Sequence, residues 1–155
     1  MTKVRIFNPP NGLAKILEGG EGVHFDELVA GSEGRIGEMK DVLQDYVRDQ
    51  ARRVVWFGSL EEEIIFARCG ELSQAAMNIA DVAGAAELEQ LGEVAHGIRA
   101  MIDSLYCKGV WHTDALEAHI TSLALLNSEP PPSVKEGDAI LKRLARVRAA
   151  IGVVE

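Results

Sequence analysis

Residues 59–126 read SLEEEIIFARCGELSQAAMNIADVAGAAELEQLGEVAHGIRAMIDSLYCKGVWHTDALEAHITSLALL. Ser59 with Glu62 three positions later is a capping-box pattern, in which hydroxyl and carboxylate satisfy the first free amides of a helix. Leu60, Ile64, Leu72, Ala75, Ile79 and Val82 then recur on one helical face, and Gly84 is placed to close the helix. A second pattern, Leu88, Leu91, Val94, Ala95, Ile98, Ile102 and Leu105, ends at Gly109. Thr113 is suited to cap a third, with Leu116, Ile120, Leu123 and Leu126 facing inward. Three amphipathic helices joined by short turns predict a helical bundle.

Working outward, Ile36, Met39, Val42, Leu43, Tyr46, Val47 and Val54 share the three-and-four spacing, so one helix of about six turns is expected from Glu33 to Trp56. After Leu126, Pro130-Pro131-Pro132 is a rigid spacer. Ser133 with Glu136 is a second capping box, ahead of Ile140, Leu144, Val147 and Ile151. Residues 1–30 read as an irregular arm. Lys3 to Phe7 alternates like a short edge strand, Pro9 to Gly12 and Gly19 to Gly22 break the chain, and Leu13, Ile16 and Leu17 form one apolar turn. The expected architecture is all-α: an up-and-down four-helix bundle with one additional helix over residues 31–155, preceded by the arm.

Composition agrees. Of 155 residues, 47% are hydrophobic, 26% charged and only 5% aromatic, which favours alanine-rich helices over a sheet. A formal charge of −8 would repel phosphates and argues against nucleic-acid binding. The charge is uneven, because Ser59 to Leu105 holds nine carboxylates against Arg68 and Arg99. The last segment is basic (Lys135, Lys142, Arg143, Arg146, Arg148), and such a helix is expected to pack across the acidic body. Cys69 and Cys107 fall within helical patterns and are expected as free buried thiols of a reducing compartment. Neither a signal peptide nor an apolar run of membrane-spanning length is present, so the chain reads as soluble and cytoplasmic.

Few residues carry chemistry. His24, His96, His112 and His119 form no metal-ligand spacing with one another or with Cys and carboxylates, and no motif calls for a cofactor. His24, His112 and His119 read as structural or surface residues. His96 lies opposite the apolar stripe of its helix and is expected in solvent, with Arg99 at +3 and Ala100 at +4. Glu89, Glu93 and Asp103 on the same face would repel a phosphoryl group. Glu61-Glu62-Glu63 stands in a first helical turn, where the helix dipole favours carboxylates. Glu93 with His96 has a di-metal spacing, but both point outward and no second Glu-x-x-His exists. Serines lie at caps, at turns or within helices, not at a nucleophile elbow. Trp56, Phe57 and Trp111 are expected as lids over the bundle ends.

Glu71-Leu72-Ser73-Gln74-Ala75-Ala76-Met77-Asn78-Ile79-Ala80-Asp81-Val82-Ala83-Gly84, followed by Ala85 to Leu88, resembles a histidine-containing phosphotransfer helix pair. That family carries His, then Lys three later, then a small residue, then Gly ten after the histidine. Anchored on Gly84, the register places Gln74 at the histidine, Met77 at the lysine and Asn78 at the small residue. A carboxamide cannot form a phosphoramidate, so phosphotransfer through this position is chemically closed. Asn11 to Lys15 leading to Gly19-Gly20, then Phe25-Asp26 ahead of the long helix, is similar to the CheE-type chemotaxis proteins of alphaproteobacteria. That resemblance implies a non-catalytic adaptor that binds a response regulator (its receiver domain) or a kinase. The implied docking face is Gly70, Gln74, Met77, Asn78 and Asp81. Two alternatives stand beside it: histidine phosphotransfer through His96, with Gly109 three residues beyond the family spacing, and a structural homodimer built on the long first helix.

Overall fold

Gly58 and Ser59 end the first helix rather than begin the second. In the computed structural model, which describes residues 25–153 with side chains from Gly37 on, the Ser59 hydroxyl donates to the Trp56 carbonyl at 2.7 Å. The expected capping box with Glu62 is therefore not made. Six α-helices follow one another: α1 (Phe25–Phe57), α2 (Glu62–Ala67), α3 (Cys69–Ala83), α4 (Glu89–Lys108), α5 (Thr113–Leu126) and α6 (Val134–Ala150). No strand occurs among the described residues, and the chain is an all-α helical bundle. Helix α1 begins eight residues before Glu33, inside the stretch expected to be irregular. The expected edge strand, the Pro and Gly breaks, the Leu13–Leu17 turn and His24 lie outside the described residues, as does the Ile36 side chain. Gly37 opens the second of two units, Gly37–Glu155, and the helix packing belongs to that unit.

The predicted 59–83 helix is two helices with a corner at Arg68, whose φ of −113° and ψ of 18° leave the helical range. The Arg68 guanidinium stabilises this corner. It stacks over Trp56 and Phe57 at 5.2 and 5.3 Å and donates twice to Glu71, at 2.9 and 2.8 Å. The break also corrects the inward face. Ile65 is buried and Ile64 exposed, and the buried stripe is Ile65, Cys69, Leu72, Ala75, Ala76, Ile79 and Ala83, which keeps the predicted Leu72, Ala75 and Ile79.

Helix α4 is central, packing on α3, α5 and α6. Its core residues Leu91, Val94, Ala95, Ile98 and Ile102 are buried as the periodicity predicts. Gly92 and Gly97 let neighbours approach closely, since a Cβ on Gly92 would lie 2.8 Å from the Ala83 Cβ. Leu116, Ile120, Leu123 and Leu126 of α5 are buried as well, and Leu144 is the main anchor of α6. Of the α1 stripe, Val47 and Val54 enter the core with Ala51 and Phe57, whereas Met39, Val42 and Tyr46 are exposed. Gln44 Nε2 donates to the Ala86 carbonyl at 2.9 Å and Asn127 Nδ2 to the Arg48 carbonyl at 3.3 Å. These bonds hold α1 beside the α3–α4 and α5–α6 turns.

The ends divide the sequence signals cleanly. Ser133 and Glu136 form the reciprocal box at α6: Ser133 N–H donates to Glu136 Oε2 at 2.9 Å and Glu136 N–H to Ser133 Oγ at 3.4 Å. Gly109 ends α4 in the left-handed region at φ 68°, its N–H on the Leu105 carbonyl at 2.8 Å. Gly84 follows α3 but stays right-handed at φ −63°, and Glu87 takes the left-handed conformation of that turn. Thr113 is the first residue of α5, not its cap. Its hydroxyl donates to Glu62 and accepts from Trp111 Nε1, which also donates to Glu62. Phe66 is edge-on to Trp111 at 5.8 Å, so Trp111 is seated on α2, whereas Phe57, also expected as a lid, is fully buried in the core.

Candidate functional site

The face assigned to docking is carried by α3. Leu72, Ala75, Ala76 and Ile79 bury one side of this helix and turn the opposite side outward. Gly70, Gln74 and Asp81 are exposed there, and Met77 and Asn78 are half-buried. Gln74 and Asn78 are one turn apart, and Gln74 Nε2 donates to Asn78 Oδ1 at 3.0 Å. Asn78 Nδ2 in turn donates to Gln50 Oε1 of α1 at 3.4 Å. Three carboxamides thus run in series from α3 to α1. Gln50 is absent from the sequence-predicted site, because nothing local to α3 reports which helix lies alongside.

Charge borders the amides at the N-terminal end of α3. Glu71 lies between Arg68 and Arg53, the latter at 3.8 Å, and the Arg68 hydrogen bonds hold its carboxyl below the usual carboxylate range. Beside Gly70, the Cys69 sulfur and the Tyr106 hydroxyl are 3.0 Å apart, and this contact raises the Tyr106 pKa. Cys69 is buried as expected. Cys107 is exposed, which corrects the expectation of two buried thiols: it lies in the last turn of α4, past the last core residue of that helix.

His96 projects from the middle of α4 into solvent, as its wheel position predicts. Glu93, Arg99, Ala100 and Asp103 line a shallow depression around it. Arg99 Nε is 3.6 Å from Asp103 Oδ2, so this neighbouring cation is already engaged. His96 and the amide series sit on different helices and share no hydrogen bond. Among the described residues, no three His, Cys, Asp or Glu side chains gather as a metal site.

The polar residue that stands out in the core is His119, fully buried between three helices. Its Nδ1 is 2.7 Å from the Ala115 carbonyl and its Nε2 is 3.2 Å from Arg148 Nη1. A carbonyl only accepts and a guanidinium only donates, so Nδ1 carries the proton and the ring is neutral. Gly97 of α4 faces the pair: a Cβ there would lie 2.5 Å from Arg148 Nη1 and 2.9 Å from His119 Cδ2. The sequence held the signal, since 119 lies three after Leu116 and four before Leu123 on the inward stripe. Lys142, Arg143 and Arg146 of the same basic helix are exposed, so α6 docks through its apolar side and Arg148.

Comparison with protein-family models, curated proteins and solved structures finds no match. No described helix is long and apolar enough to cross a membrane.

Proposed function

We propose that this chain is a non-catalytic signalling adaptor that docks a receiver domain or a kinase of a two-component or chemotaxis-type pathway through the outer face of α3. One observation carries the reading. The middle of that face presents the Gln74 carboxamide and the Met77 side chain where a phosphotransfer helix would present an imidazole and a cation, and Gln74 is tied through Asn78 to Gln50. Amides donate and accept hydrogen bonds without carrying charge, so they suit recognition and offer no nucleophile. The same reading takes α1, α3, α4 and α5 as an up-and-down four-helix bundle of phosphotransfer type, α6 as the additional helix, and the cytoplasm as its location.

Titration against receiver domains and kinases of the same organism tests the surface. Gln74 and Asp81 are exposed, so Gln74→Arg with Asp81→Arg leaves the core intact and should abolish binding. Binding unchanged by this pair would remove α3 as the docking face.

The exposure of His96 favours one other reading, phosphotransfer through its imidazole. Incubation with a labelled phospho-receiver decides it. Acid-labile label on the wild type that is lost in His96→Ala would establish the transfer, and equal labelling of the two would end it.

A further inference from the structure

The core uses one side of α1. Val47, Ala51, Val54 and Phe57 are buried, and a second row flanks them: Met39, Val42, Tyr46, Asp49, Arg53 and Trp56. These positions alternate spacings of three and four without a break, the spacing of a two-helix seam. Met39 and Val42 are 63% and 68% exposed, and Tyr46 and Trp56 are also open to solvent. Met39, Val42 and Tyr46 make an apolar stretch of the kind that soluble chains usually cover, and Trp56 continues the row beyond Asp49 and Arg53.

The charges say what covers it. Glu38, Asp41 and Asp45 precede the midpoint of the row, while Arg48, Arg52 and Arg53 follow it. Lys40, the one cation of the first half, is turned away and paired with Glu87. A parallel copy would set acid on acid and base on base. An antiparallel copy sets acid on base at both ends.

We propose that the outer face of α1 is an antiparallel homodimer seam, with a two-fold axis passing near Val47 and Arg48. That axis opposes Met39 to Trp56 of the second copy, a thioether against an aromatic ring. It opposes Val42 to the alkyl stem of Arg53, and Tyr46 to the Asp49 carboxylate, which can accept from the phenol. On the flank it places Asp45 beside Arg52 of the second copy, twice by symmetry. The intrachain partners of these cations are long and exposed: Arg52 to Asp49 is 3.4 Å and Arg53 to Glu71 is 3.8 Å. Such contacts are readily exchanged for intermolecular ones. The seam lies on α1 and the docking face on α3, and the two adjoin where Arg53 approaches Glu71 at 3.8 Å.

Sedimentation equilibrium of the full chain from micromolar to millimolar concentration tests the proposal, with circular dichroism as the control for folding. The wild type should dimerise, and Asp45→Arg or Arg52→Asp should each raise the dimer Kd by at least about tenfold through like-charge contact. An equimolar mixture of the two variants should restore a heterodimer, because each then meets its complement. If either reversal lowers helicity, Val42→Ser removes a seam contact without reversing charge and should weaken the dimer in the same direction. A wild type that stays monomeric throughout, a dimer indifferent to these changes, or variants that fail to rescue one another would overturn the seam.

Discussion

Arg148 Nη1 donates to His119 Nε2 at 3.2 Å across the α5–α6 interface, and the Cα of Gly97 closes the third side. Burial lowers the His119 pKa below its ordinary 6.5, the Ala115 bond opposes that shift, and the Arg148 charge adds to it. A depressed folded pKa means that the unfolded chain takes up the proton first. The contribution of His119 is therefore complete above pH 6.5 and is lost as pH falls below that value. Glu71 and Glu136 are also depressed, but from 4.5, so their losses begin in stronger acid. Denaturant unfolding at pH 7.5 and pH 5.5 should show lower stability at the acid value. The difference should shrink in His119→Gln, whose amide oxygen can still accept from Arg148.

Gly97→Ala should destabilise the same junction by about 1–3 kcal/mol, the usual cost of overpacking a filled site. The guanidinium can swing away from the new methyl, but only by leaving His119 Nε2 buried without its donor. The ring at 2.9 Å is fixed on both sides and cannot retreat. Thermal unfolding of Gly97→Ala beside Arg148→Ala and the double variant separates the two losses. The double variant should fall short of the sum, since both singles remove the same hydrogen bond.

The capping box of α6 gives a third test. Ser133→Ala should cost about 1 kcal/mol through the lost acceptor for the Glu136 amide. The Ser133 bonds hold the Glu136 carboxyl below its ordinary range, so this group stabilises the fold above that range and ceases to do so as pH falls through the folded value. Removing the hydroxyl should therefore blunt acid sensitivity as well as lower the melting temperature.

Much of this fold could be read from periodicity. The α4 and α5 stripes, the α6 cap and the Gly109 stop all follow from local chemistry, and each appears where the residues place it. What failed was whatever depended on a neighbour. Ile64 and Ile65 are equally apolar, and only the corner at Arg68, set by the rings of Trp56 and Phe57, decides that Ile65 turns inward. Helix α1 carries two apolar rows that a single helical pattern merges, and packing alone selects Val47 and Val54 for the core over Val42 and Tyr46. In the candidate site the Gln74–Asn78 pair was legible as a one-turn spacing. Gln50 was not, because its contribution exists only once α1 lies against α3.

Two helix-ending glycines make the closing prediction, because sequence treats them alike and backbone geometry does not. Gly109 has φ 68°, where an L side chain is strained, and a Cβ there would meet nothing within 4 Å. Gly109→Ala should therefore cost about 1–2 kcal/mol through backbone conformation alone. Gly84 has φ −63° with equally open space, so Ala fits without strain and restricts the unfolded chain. Gly84→Ala should stabilise by about 0.4–1 kcal/mol. Denaturation midpoints of the two variants should move in opposite directions. A loss of stability in Gly84→Ala would contradict the right-handed conformation of this turn.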